Sequence, residues 1–324
     1  MTSCFPEVCV AINLDDANAS TSTMDTRPLF IAAPMVRYSR LPFRKLVREY
    51  GVHVAHTPMI IASSFVQSQK CRDNELTLDS DDHPLIVQFA ANNARDFADA
   101  TELVAAHVAG VDLNCGCPQR WAMAEGYGSQ LITQPALTAD IVRQTRSRLP
   151  GDPDGFCVSA KIRLIPEDTL ARTVDLCRKL EAAGVTRITV HGRTPAQRKE
   201  PVDYETIANV KQSLSVPVVV NGDINTLQQA TDVLQHTKVH GVMCARGLLR
   251  NPSLFSGTQA ADSKCIRRWV QLSLDCGLSF PLFHHQLMFM LDAHLNKAER
   301  RVFNRLLSVP AVIDFLERYD FLSG

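Results

Sequence analysis

The chain has 324 residues, 45% of them hydrophobic and 21% charged, and its 34 basic and 34 acidic side chains cancel to a net charge of zero. That is enough apolar chain for a sizeable buried core, while the balance supplies no bulk attraction for a nucleic acid, which must then be met by a local patch. No apolar run approaches the roughly 20 residues that cross a bilayer, so no membrane span is expected.

Residues 1–26 carry Glu7, Asp15, Asp16 and Asp25 but no Lys or Arg, the wrong charge for a signal or transit peptide, and read as a mobile, non-catalytic leader. Without a secretory signal a reducing compartment is the default, which points to the cytoplasm with room for a nuclear pool. Ten Cys lie at irregular spacing, and Cys157, Cys177 and Cys244 fall inside apolar runs, where a small hydrophobe is expected rather than a disulfide.

From there short apolar runs alternate with longer amphipathic ones. The runs predict eight strands: Leu29 to Ala33, Val52 to His56, Leu85 to Phe89, Val111 to Asn114, Phe156 to Ile162, Arg187 to His191, Pro217 to Asn221 and His240 to Ala245. Their near-continuous apolar character suits parallel strands covered on both faces. Between them the period becomes helical. Phe97, Thr101, Val104, Ala105 and Val108 form one stripe, and Leu170, Val174, Cys177 and Leu180 form another that Gly184 stops. Eight such units predict an α/β fold, a (β/α)₈ TIM barrel over residues 27–255. The alternative, a doubly wound open sheet, normally carries a Gly-rich fingerprint after its first strand, and here that strand ends in Ala33-Pro34-Met35.

After Pro252 the strand pattern stops, and residues 256–324 read as a helical domain, helical from about Asp262 to Tyr319. Lys297, Arg301 and Arg305 recur at i, i+4 spacing with Arg300 beside them, which predicts one basic helical face; ordinary solvation is the plain reading of such a face. His284, His285 and His294 match no zinc spacing, and no metal site is expected.

In such barrels the chemistry gathers at the C-terminal strand ends. Those ends read Pro34 and Met35, Thr57, Gln88, Asn114 with Cys117, Lys161 with Arg163, His191 with Arg193, Asn221-Gly222-Asp223, and Ala245-Arg246-Gly247. Gly222 and Gly247 with Arg246 suit a phosphate after the last two strands, because glycines admit close backbone approach and a guanidinium grips two oxygens. Lys161 has two readings, a Schiff-base lysine or a fixed cation beside an electron-rich ring; the amides of Gln88 and Asn221, able to pair with a flavin or pyrimidine edge, favour the second. Cys115 is expected to pack. Cys117, past Gly116 and before Pro118, is a thiol at the barrel mouth and a catalytic candidate.

These motifs, in this order, resemble the flavin-dependent tRNA-dihydrouridine synthases: Ala33-Pro34-Met35, Asp112 to Pro118, Lys161-Ile162-Arg163, His191-Gly192-Arg193-Thr194, Asn221-Gly222-Asp223 and Ala245-Arg246-Gly247. The likeness covers about Arg27 to Asn251. Ala33 to Ser39 and Cys117 to Gly128 look most like the eukaryotic branch acting at positions 20a and 20b of the tRNA D-loop. The resemblance implies FMN held by Pro34, Met35, Val36, Gln88, Lys161, His191, Asn221, Gly222, Asp223, Ala245 and Arg246. It also implies NADPH or NADH as reductant, tRNA as substrate, and Cys117 as general acid. In this light Asn114, Arg163 and Arg193 are expected to meet the substrate at the mouth, and Lys297, Arg300, Arg301 and Arg305 to meet its phosphates. A monomer is expected. Two other readings stand beside it: an FMN barrel oxidoreductase of a free small molecule, like a dihydroorotate dehydrogenase or an ene-reductase, and a tRNA-binding protein without catalysis.

Overall fold

A computed structural model describes residues 28–149 and 155–322. The acidic leader lies outside the described residues. Nine parallel strands form in chain order: β1 (Leu29–Ala32), β2 (Val54–His56), β3 (Ile60–Ile61), β4 (Leu85–Ala90), β5 (Gly110–Cys115), β6 (Cys157–Arg163), β7 (Arg187–His191), β8 (Val218–Asn221) and β9 (Gly241–Cys244). Pairing of β2 with both β1 and β4, and of β1 with β9, closes eight of them into a barrel, with the two-residue β3 attached at the upper end of β4. Each closing strand falls on one of the eight predicted runs, with ends displaced by a residue or two. The short β3 gave no signal, because two isoleucines set no period.

Two shells of apolar side chains explain the closure. Inside the barrel Ile31, Val54, Ile86, Cys157, Val219 and Met243 meet one another. The outward residues of the same strands pack under the helical ring, for example Val87, Leu113 and Ile188 against Phe97, Ile141 and Leu176. Strands buried on both faces leave almost no polar position free except at their ends. The helix Ala94–Val104 buries Phe97, Thr101 and Val104 as the periodicity predicts. In Thr169–Ala182 the buried stripe is Thr173, Leu176, Cys177 and Leu180, while Leu170 in the first turn stands exposed. Cys115, Cys157, Cys177 and Cys244 are all free and buried.

Beyond the barrel four helices follow, Ser263–Asp275, Phe280–Met290, Lys297–Phe303 and Val309–Arg318. Ile266, Trp269 and Val270 join one apolar core with Phe43, Leu46 and Val47 of the helix Leu41–Arg48, and Arg268 pairs with Glu49. Gln286 donates to the Leu249 carbonyl, and Tyr38 lies edge-on to Phe289. The helical segment therefore stands against the loops that follow β1 and β9, on one side of the mouth. His284 stacks on Phe280 and Phe303 and meets the Phe303 carbonyl, a packing histidine rather than a ligand. The basic face is shorter than predicted: its helix ends at Phe303, so Arg305 lies in the following turn, and Arg300 is paired with Asp292. Lys297, Arg301 and Arg305 are exposed.

Candidate active site

Register sets the site. Across neighbouring strands Gln88 is level with Asp112, Asp112 with Ser159, and Ser159 with Arg187. One step nearer the mouth Asn114 is level with Lys161, and at the rim Arg163, His191 and Asn221 share a row. Side chains level across a parallel pair share a face, so three tiers of polar groups climb the same wall of the barrel.

Lys161 has the stem burial expected of it, and its ammonium has no hydrogen-bond or ion-pair partner among the described residues. Burial, with Arg163 second, brings its pKa down to about 8. A buried cation without a partner is costly and calls for an anionic or electron-rich ligand. His191 is held neutral, its pKa pushed down to about 2 by burial and then by the charges of Lys161, Arg163, Arg193 and Arg246. The net charge of zero thus conceals a cationic mouth, to which Arg198 and Arg250, not singled out from the sequence, also contribute.

A cavity opens after β8 and β9, beside the glycines and Arg246 singled out from the sequence. His191, Asn221, Gly222, Asp223, Ala245, Arg246, Gly247 and Arg250 line a cavity of about 270 Å³. Gly222 has φ +136°, and a Cβ on Gly247 would sit 2.2 Å from the Ile224 carbonyl oxygen. The backbone is therefore drawn in where only glycine fits. Gly247→Ala is expected to cost about 1–3 kcal/mol by overpacking, seen as a lowered Tm together with weaker ligand retention in the cradle. Asn221 is anchored by donating to the Met243 carbonyl at 2.8 Å.

Two predicted substrate contacts take a different part. Arg193, 2% exposed, grips both oxygens of Asp223 and donates to the Glu200 carbonyl. Each of its three nitrogens makes one of these bonds, so it braces the β7 and β8 loops and the Asp223 carboxylate serves that clamp, with Arg246 at 3.4 Å on the same carboxylate. Arg163 donates to the Gly116 and Thr194 carbonyls at 2.9 and 3.0 Å. It pins the loop carrying Cys117 to the loop after β7. Both bracing roles have one cause: strand-end loops expose backbone carbonyls and carboxylates that arginine satisfies best.

The thiol loop is held from several sides. Asn114 Oδ1 accepts from Cys117 N at 3.0 Å, and the Cys117 carbonyl accepts from Ser129 N. Gly128, φ +62°, comes so close that a Cβ would meet the Cys117 carbonyl oxygen at 2.5 Å. Cys117 packs against a small apolar cluster of Ala90, Ala122 and Tyr127, which Met59 and Ile61 also border. Just beyond, Trp121 is 47% exposed. In the first loop Ser39, another residue not singled out, donates to the Ala33 carbonyl and accepts from Met35 N, which shapes Pro34, Met35 and the exposed Val36 into a tight turn.

In the order of the closed barrel β5 and β9 are four strands apart either way round, as are β6 and β1. The Cys117 loop therefore faces the Arg246 cradle across the mouth, and Lys161 faces the Met35 turn.

A family model described as dihydrouridine synthase matches residues 31–311. The chain belongs to that family. It is 53% identical over 286 residues to a Mus musculus protein named as an NAD(P)+ tRNA-dihydrouridine(20a/20b) synthase-like protein, covering 88% of this chain and 87% of the relative. A Homo sapiens protein of the same name is 51% identical, with 88% and 89% covered. The Schizosaccharomyces pombe tRNA-dihydrouridine(20a/20b) synthase is 39% identical, with 90% and 88% covered. Among solved structures, the old yellow enzyme from Trypanosoma cruzi superposes with TM-score 0.50 at 11% identity, covering 69% of this chain and 86% of that one, a likeness of fold.

Two buried histidines of this dihydrouridine synthase family member predict its acid behaviour. His56, fully buried, donates Nδ1–H to the Ala32 carbonyl and leaves Nε2 without a partner; burial, then Arg187, holds its pKa well below the usual value. A folded pKa below the unfolded one means that protons enter the unfolded state first. Stability is therefore full above the unfolded value of about 6.5 and falls as pH drops, by up to roughly 1.4 kcal/mol per pH unit for each such group. Denaturant titrations from pH 7 to 4 are expected to show this slope for His56 and His191, and a shallower one in His56→Gln.

Proposed function

We propose that this chain is a tRNA-dihydrouridine synthase that reduces the C5=C6 bond of the uridine at position 20a or 20b in the D-loop. The observation that carries the reading is the mouth itself: a thiol at the end of β5, a partnerless buried ammonium beside it on β6, and a glycine–arginine cradle directly across. The relatives' names support the substrate class and the position.

The residues present fit FMN. The backbone at Gly222 and Gly247, with Arg246, would take its phosphate, and Arg250 adds a second cation there. Lys161 would stand against the carbonyl edge of its ring, with Gln88, His191 and Asn221 as neutral partners and Pro34, Met35 and Val36 closing the far side. When bound, FMN supplies a hydride for C6 and is recharged by NADPH or NADH. Cys117 then delivers a proton to C5 from the opposite side of the pyrimidine. Asn114, already holding the Cys117 loop, borders the place where the base edge would lie. A uridine in folded tRNA reaches this depth only when rotated out of its loop.

Binding of the rest of the tRNA then rests on shape and phosphates. Lys297, Arg301 and Arg305 form the free basic patch on the helical segment, which stands over the β1–β9 side of the mouth. Reversing Arg301 and Arg305 to Glu is expected to weaken tRNA binding. It should also flatten the dependence of log K on log salt by roughly 1.5; an unchanged slope in filter binding would remove the patch from the interface. The function as a whole is tested by mapping dihydrouridine in tRNA from cells lacking the protein: loss at 20a and 20b alone is expected, and an unaltered map refutes the reading.

A further inference from the structure

Beneath the thiol runs a line of hydrogen bonds whose direction is set from one end to the other. The backbone N–H groups of Gly116 and Cys117 can only donate, so the atom they meet at 3.3 and 3.0 Å is Asn114 Oδ1. Asn114 Nδ2 is left to donate to Gln88 Oε1 at 2.8 Å, and Gln88 Nε2 to donate to Asp112 Oδ2 at 2.7 Å. Ser159 closes the line by donating to Asp112 Oδ1 at 2.6 Å. Asp112 is 0% exposed, so in the folded protein its carboxylate is the terminal acceptor without help from solvent.

We propose that Asp112 is a positioning residue for the reduction: its carboxylate sets the donor–acceptor sense of the Gln88–Asn114 amide pair and thereby the seat of the Cys117 loop. The proposal rests on the function proposed above. A side-chain amide can rotate by half a turn at little cost unless its partners forbid it. Without an acceptor at 112 the Gln88 amide can turn Nε2 toward Asn114, where it meets another donor. Asn114 must then turn as well and release Gly116 and Cys117, or leave a buried amide group unpaired, which is unfavourable. The residue at the end of the line thus acts on a thiol it does not touch. Burial raises the Asp112 pKa, and against it the bonds from Gln88 and Ser159, then the charges of Arg187 and Lys161, favour the ionised form. A role in charge balance alone is therefore the rival explanation.

Asp112→Asn and Asp112→Ala separate the two. Asn keeps an acceptor, turning Oδ1 to Gln88 and Nδ2 to Ser159, but removes the charge; Ala removes both. With purified holoenzyme and tRNA, Asp112→Asn is expected to keep kcat within about fivefold, the scale of one altered hydrogen bond. Asp112→Ala is expected to lose about 10²-fold in kcat through misplacement of the thiol, with KM little changed. Amide hydrogen exchange at Gly116 and Cys117, and iodoacetamide labelling of Cys117 read by peptide mass spectrometry, should accelerate in Asp112→Ala while the rest of the barrel keeps its protection. Equal damage from both variants, or unchanged exchange at 116 and 117, overturns the proposal. Should Asp112→Ala fail to fold, Asp112→Val, which fills more of the space and likewise offers no acceptor, takes its place and should loosen the same amides; unchanged exchange there overturns the proposal. Exchange and labelling do not depend on turnover. A wild-type enzyme that forms no dihydrouridine would therefore count against the function and leave the relay separately judged.

Discussion

Cys117→Ala is expected to lower kcat for dihydrouridine formation by roughly 10²–10⁴-fold, the range lost with a general acid. Reduction of a C5=C6 bond leaves negative charge at C5 that must be met by a proton. The thiol is carried on a loop fixed by Asn114, Ser129 and the close approach of Gly128. The substitution removes only the thiol, because the backbone bonds of residue 117 remain. KM for tRNA should therefore stay near that of the wild type, the pattern of an interaction made in the transition state alone. Consumption of NADPH by the protein without tRNA should persist. Single-turnover conversion of tRNA uridine, read by mass spectrometry of nucleosides, checks both halves. Full turnover by Cys117→Ala would move the proton donor elsewhere.

Lys161→Met should have the second large effect, on retention of the cofactor. The methionine preserves the apolar stem and removes the charge, so packing in the barrel is little disturbed. A hydrogen bond to a charged group contributes about 1.5–3 kcal/mol, which corresponds to roughly 10–10²-fold in FMN affinity. The pH dependence gives a sharper signature. In the ligand-free protein burial and Arg163 hold the Lys161 pKa at about 8, below its unfolded value of 10.5. The charged lysine costs folding stability below pH 8, and that cost is relieved as pH rises from 8 to 10.5. A ligand that prefers the ammonium raises the pKa again, so binding takes up a proton above pH 8. Affinity for FMN is therefore expected to be full below pH 8 and to fall above it, by at most tenfold per unit. In Lys161→Met this fall should vanish. Isothermal titration from pH 7 to 9.5 distinguishes the two, and a wild-type affinity flat across that range would separate Lys161 from the cofactor.

The structure also gives Arg163 and Arg193 partners within the protein that the sequence did not show. Arg163 and Arg193 stand in motifs with Lys161 and His191, and nothing in linear order distinguishes a guanidinium that meets ligand from one that braces a loop. The distinction lies in Gly116, Thr194, Glu200 and Asp223, which come from other loops. Asp112 and Ser39 stood only at the ends of motifs, without a role, for the same reason. Their importance is a matter of what they bond, and Ser159 and Gln88 reach Asp112 only once three strands lie side by side.

What the sequence determined by itself was the list of strands and their ends. A parallel strand covered on both faces must be apolar along its length, so its polar terminus stands out, and eight such termini point to one rim. Gly222, Gly247, Lys161 and Cys117 were legible because their demands are local: backbone space, a buried stem, a thiol at a turn. Only the tertiary structure decided which groups share a charge or a hydrogen bond. Closure of β2 onto β4 and of β9 onto β1 brought residues more than a hundred positions apart around one mouth. There burial, reinforced by the cations that a chain of zero net charge gathers at one place, keeps His191 neutral and brings the Lys161 pKa to about 8. Electrostatic and hydrogen-bond energies depend on distances of a few ångströms, and those distances are set by the barrel.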